Sequence, residues 1–150
     1  MTVKYHRPRY AMAQKLRRGP GVAVPEAVRR AEANVEAMRE ELLAELGAGI
    51  DALETLLRPP GQGPGLIQAA YDQTQLLIAV AGACGLDGAA SAAHGLCELL
   101  DRMSRGRFEA EPIAVHVRAL RLLGQPGAVS EEEGAQILQG LEKVCSRYGD

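Results

Sequence analysis

A chain of 150 residues suffices for one domain with its own core, and a composition rich in Ala, Leu and Gly, with one Phe, no Trp and few β-branched runs, favours packed helices over sheet. The net charge of −2 hides an asymmetry: residues 1–24 carry six basic side chains and no acidic one, whereas the remainder holds 11 basic against 19 acidic. An acidic body without a basic groove or aromatic platforms argues against nucleic acid as a partner.

The six early cations are Lys4, Arg7, Arg9, Lys15, Arg17 and Arg18, and the segment closes in RRGPGVAVPE, whose Gly and Pro residues mark a linker. Residues 1–24 therefore read as a flexible basic arm, either a solvated tail or an electrostatic arm for an acidic partner or anionic surface. Pro25 fits the first turn of a helix. From there Val28, Ala31, Val35, Met38, Leu42, Leu46, Ile50, Leu53 and Leu57 recur at steps of three and four, which predicts one helix to about Leu57. Gly47 and Gly49 are the places where it would bend or split. Pro59 to Pro64 then forces a loop.

The next helix is expected from about Leu66 to Ala83, with Leu66, Ala70, Gln73, Leu77, Val80 and Cys84 inward. Gln75, two residues from Gln73 and so about 200° around the helix, faces outward. Tyr71, Asp72, Ile78, Ala79 and Gly82 share that outer region. Gly85–Gly88 is a tight turn with Asp87 as N-cap. A third helix runs to about Ser104 with Ala90, Ala93, Leu96, Cys97, Leu100 and Met103 inward, and a fourth covers about Glu111 to Leu123 with Ile113, Val117, Leu120 and Leu123 aligned. Ser130 and Glu133 form a capping box that opens a fifth helix, with Ile137, Leu138, Leu141, Val144, Cys145 and Tyr148 on one side.

The apolar run LLIAVAGACGL is about half of the roughly 20 residues that a membrane span needs. MTVKYHRPRY lacks the apolar core of a secretory signal, so a cytoplasmic protein is expected. Cys84, Cys97 and Cys145 have no CxxC spacing and fall where a helix buries small apolar residues, which makes them structural thiols. His6, His94 and His116 have no paired ligand spacing, so neither a metal nor another cofactor is expected.

The stretch from Gln75 to Arg105 resembles the two central helices of the histidine phosphotransfer (HPt) family. There a helix carries H-x-L-K-G-x-A-x-x-x-G, and the following helix ends in an L-E/C-x-L-L pattern. Leu77, Ala81 and Gly85 match the first pattern, and Leu96-Cys97-Glu98-Leu99-Leu100 corresponds to the second. Gln75 stands at the phospho-accepting histidine, Ile78 at the lysine and Ala79 at the glycine. The segments IAVHVRALRLL and ILQGLEKVCSRY also look like the closing helices of HPt-like proteins found beside bacterial chemotaxis genes, so the resemblance covers about residues 30–148.

The resemblance implies an all-α, antiparallel four-helix bundle of HPt type with an extended N-terminal helix, over residues 25–150. It also implies a changed chemistry. Phosphoryl relay needs a nucleophilic imidazole nitrogen, and a glutamine amide nitrogen is delocalised into its carbonyl. Ile78 removes the cation that would help neutralise phosphoryl oxygens. The implied role is therefore non-catalytic: an HPt-like protein of two-component or chemotaxis signalling that docks a CheY-type receiver domain or a histidine kinase. The docking face comprises Tyr71, Asp72, Gln75, Ile78, Ala79 and Gly82, with Ile78 as apolar anchor between small residues. The alternatives are phosphotransfer through an unorthodox residue, and a structural adaptor acting through its basic arm. His94 is expected to be partly buried and hydrogen-bonded, and His116 to lie away from the docking face.

Overall fold

The computed structural model describes residues 21–58 and 64–148. Among them there are six helices and no strand: α1 Val24–Ala37, α2 Arg39–Leu56, α3 Pro64–Ala83, α4 Asp87–Arg105, α5 Ala110–Leu123 and α6 Glu131–Ser146. None of these helices is long and apolar enough to cross a membrane. The described residues fall into two units, divided between Asn34 and Val35. In the first unit, Glu26 near the start of α1 pairs with both Arg29 and Arg30 one turn on, the spacing at which opposite charges support a helix. All six basic residues of the arm, Lys4 to Arg18, lie outside the described residues, as does the Pro59–Gly63 stretch of the expected loop.

The single helix expected over residues 25–57 is two. The break falls at Met38 and not at Gly47 or Gly49: the Met38 amide donates to the Val35 carbonyl three residues back (3.2 Å), which tightens the turn there. Glu40 and Glu41 then occupy the first turn of α2, where carboxylates complement the helix dipole. Gly49 is buried inside α2, and a methyl group there would meet Leu77 Cδ2 at 2.6 Å and Gln73 Nε2 at 2.9 Å. This glycine marks where α2 crosses α3 closely, and packing keeps it helical despite its low propensity.

Within the second unit α3 packs against α2 and α4, α4 also against α5 and α6, α2 against α5, and α5 against α6. Leu46, Ile50 and Leu53 of α2, Ala70, Leu77 and Ala81 of α3, Leu96, Leu99 and Leu100 of α4, Ile113, Val117 and Leu120 of α5, and Leu141 of α6 share one core. The α2–α5 contact carries an ion pair as well: Arg121 reaches Asp51 at 2.5 Å and Glu54 at 3.0 Å. The helix α4 touches three neighbours, and eight of its 19 residues are buried, including Ala89, Ala92 and Leu99 outside the expected stripe.

The α3–α4 turn is a Schellman motif. Gly85 adopts φ +68°, its amide donates to the Gly82 carbonyl (3.0 Å), and the Leu86 amide donates to the Ala81 carbonyl (2.9 Å). The left-handed conformation explains why glycine stands at this position. Asp87, expected as the N-cap, is instead the first residue of α4. There its carboxylate meets the positive end of the helix dipole without making a side-chain cap. The Ser130–Glu133 capping box is present with both of its reciprocal bonds. The Ser130 amide and hydroxyl both donate to Glu133 Oε2, which holds its carboxyl below the ordinary pKa.

Candidate functional site

The face of α3 that looks away from the core comprises Gly65, Gln68, Asp72, Gln75, Leu76, Ala79, Gly82 and Ala83. At about 100° per residue these positions fill one continuous arc, centred on Ala79 with Gln75 to one side and Leu76 to the other. Four of the six expected docking residues, Asp72, Gln75, Ala79 and Gly82, lie on it and are exposed. Asp72 accepts a bond from Gln68 Nε2 one turn earlier (2.7 Å).

Tyr71 and Ile78 do not belong to that face. Both are half-buried and pack against the core. The reason is the direction of the inner stripe: Ala70, Thr74, Leu77 and Ala81 are its buried centre, and Tyr71 and Ile78 sit on its flank. Gln73 and Val80, which the sequence stripe predicts as central, are half-buried on the opposite flank, and Gln73 Nε2 donates to the Gly49 carbonyl at 3.4 Å. Thr74 tolerates complete burial because its hydroxyl donates to the Ala70 carbonyl (2.7 Å). With the stripe turned this way, the apolar side chain left outside is Leu76, 62% exposed and one residue from Gln75. Counting outward from a stripe centred on Thr74 and Leu77 would have found it.

His94 is exposed and makes no hydrogen bond among the described residues, contrary to the partly buried, hydrogen-bonded setting expected of it. It belongs to the stripe of α4 left uncovered by three neighbouring helices, with Asp87, Ser91, Glu98, Asp101 and Arg105. A cavity of about 590 Å³ between α4 and α6 places His94, Ser91 and Glu98 opposite Gln139, Glu142 and Cys145.

His116 is fully buried. Its Nδ1 lies 2.9 Å from the Pro112 carbonyl, which can only accept, so Nδ1 carries the proton. Nε2 is then the acceptor, 3.3 Å from Cys145 Sγ. A nucleophile, a base and an orienting carbonyl are thus in line, which is the form of an activated thiol. Burial, however, raises the Cys145 thiol pKa and lowers that of His116. Both shifts favour the neutral pair over thiolate and imidazolium, so the arrangement serves as a core hydrogen bond. Cys84 and Cys97 are buried and free as well, and burial pushes the Cys97 thiol up to about 11. No group of three or more His, Cys, Asp or Glu is placed to hold a metal ion among the described residues.

Neither protein-family profiles nor curated proteins nor solved structures include a match to this chain.

Proposed function

We propose that the chain is an HPt-like binding protein that engages a receiver domain or a histidine kinase through the outer arc of α3, without exchanging phosphate. The observation that carries this reading is the setting of Gln75: exposed in the middle of a long helix, beside the apolar Leu76 and the small residues Ala79 and Gly82. The pairings of α2 with α3, α3 with α4, α4 with α5, and α5 with α2 support an antiparallel four-helix bundle of HPt type over residues 39–123, with α6 laid against it. Small residues let a partner's helix approach closely, and Leu76 takes the anchoring role first ascribed to Ile78. Gln75 can bond through both ends of its amide but cannot carry a phosphoryl group.

An aliphatic anchor at the centre of an interface contributes about 1–2 kcal/mol or more. Leu76→Asp is expected to weaken binding of a cognate receiver domain at least tenfold, and Arg118→Ala on α5 to leave it unchanged. Chemical-shift mapping that leaves Asp72, Gln75, Leu76 and Gly82 unmoved on receiver addition would overturn the docking face.

The exposure of His94 favours a second reading, phosphotransfer through an unorthodox residue. Incubation with a radiolabelled kinase–receiver mixture separates the two. Absence of label supports binding alone, whereas an acid-labile label that vanishes in His94→Ala establishes phosphotransfer.

A further inference from the structure

The C-terminal ends of α4 and α6 and the segment leading into α5 enclose a surface cavity of about 470 Å³, whose wall carries Arg102, Arg105, Arg107 and Arg147 together with Glu109 and Tyr148. Beyond residue 24 the sequence has 11 basic residues against 19 acidic, and four of those 11 meet in this one place. All four are arginines.

Their commitments differ. Arg102 Nη1 donates to the Cys145 carbonyl at 2.6 Å, tying α4 to the last turn of α6. Arg105 Nη2 donates to both oxygens of Asp101, at 2.8 and 3.0 Å. Both arginines lie in the last turn of α4, where cations offset the helix dipole, so a structural role accounts for them. Arg107 lies beyond the helix and Arg147 is the C-cap of α6. Both are exposed, and neither makes an ion pair among the described residues. The one carboxylate in the wall, Glu109, accepts the Tyr148 hydroxyl at 2.8 Å. Among the described residues, therefore, neither of these two guanidinium groups is paired with an anion, although Glu109 lines the same cavity.

We propose that this cavity is a binding site for a phosphomonoester dianion, held chiefly by Arg107 and Arg147. Planar guanidinium forks match pairs of phosphate oxygens, a geometry that lysine cannot reproduce. Four arginines against the one carboxylate of the wall leave the cavity an excess of positive charge, which favours a dianion. The volume lies within the range of small-molecule sites and leaves room for the group esterified to the phosphate. The site shares no residue with the α3 face and does not depend on the function proposed for it.

The test uses the full chain with labelled arginine side chains, followed by NMR at constant ionic strength. Inorganic phosphate forms one arm; a serine-phosphorylated peptide and its unphosphorylated twin form the other. Saturable shifts at Arg102, Arg105, Arg107 and Arg147 are expected with both phosphate-bearing probes and not with the unmodified peptide. Arg107→Ala combined with Arg147→Ala should weaken binding at least tenfold and leave the thermal midpoint unchanged. The paired Arg→Lys changes should lose most of the affinity although they keep the charge. Tighter binding of the phosphopeptide than of inorganic phosphate identifies a phosphorylated side chain as the natural source; equal binding identifies a free phosphate compound. Shifts that do not saturate, shifts spread to Arg29, Arg30 and Arg118, or full affinity in the lysine variant would each overturn the site.

Discussion

His116 shows how a single buried residue makes the fold sensitive to pH. Its ring is neutral in the core, with Nδ1–H on the Pro112 carbonyl and Nε2 facing a thiol. Protonation would put a second donor against Cys145 Sγ, a weak acceptor, and place a charge in the core. Burial lowers the pKa of the folded state below the ordinary value of 6.5, opposed by the bond to Pro112. Above about pH 6.5 both folded and unfolded chains hold the ring neutral, and the stability it contributes is fully present. Below that pH the unfolded chain binds the proton first, so stability falls as pH drops toward the folded pKa. Urea unfolding at pH 8 and pH 5.5 should show this loss in the parent chain and a shallower one in His116→Gln. Equal pH dependence in the two would show that His116 is not its source. At the same scale, Gln75→His should shift stability by no more than about 0.5 kcal/mol because Gln75 is exposed. Ile78→Lys should cost more, about 1–3 kcal/mol, because Ile78 packs on the core.

At the scale of the elements, two glycines of α2 that read alike in the sequence have opposite roles. Gly47 has open space where a methyl group would stand, whereas at Gly49 that methyl would meet Leu77 and Gln73 from α3. Gly47→Ala should stabilise the chain by about 0.5–1 kcal/mol through helix propensity and a less flexible unfolded state. Gly49→Ala gains the same local term but overfills the crossing, so it should be about 1–3 kcal/mol less stable than Gly47→Ala. Thermal unfolding of the two variants side by side checks the difference. Periodicity located α3, α4, α5 and α6 within a few residues because each stripe is regular and Gly85, Gly106 and Ser130 punctuate them. It did not locate the break at Met38, since the apolar stripe runs straight through that residue.

For the whole molecule, charge is divided along the chain: six cations and no anion in residues 1–24, against an excess of eight negative charges in the rest. On the proposed function, the arm acts on encounter and the α3 face on the docked complex. Deleting residues 1–18 should flatten the salt dependence of receiver association without abolishing binding; complete loss would make the arm the principal contact and favour the adaptor reading.

The sequence by itself determined the helical class, the order of the helices, the buried cysteines and the exposure of Gln75, because those depend on local periodicity, capping and turn chemistry. Tertiary structure alone decided which flank of α3 was covered. Tyr71 and Ile78 are turned inward by α3's packing between α2 and α4, and Leu76 is the apolar residue left outside. It also decided that α4, with three neighbours, leaves His94 in solvent while His116 of α5 is enclosed beside Cys145 of α6. Arg102, Arg105, Arg107 and Arg147 are separated by up to 45 positions and meet only because α4 and α6 end side by side. A helix repeat fixes the angle between residues on one element; which angles face solvent is set by the number and placement of its neighbours, and no single stripe contains that information.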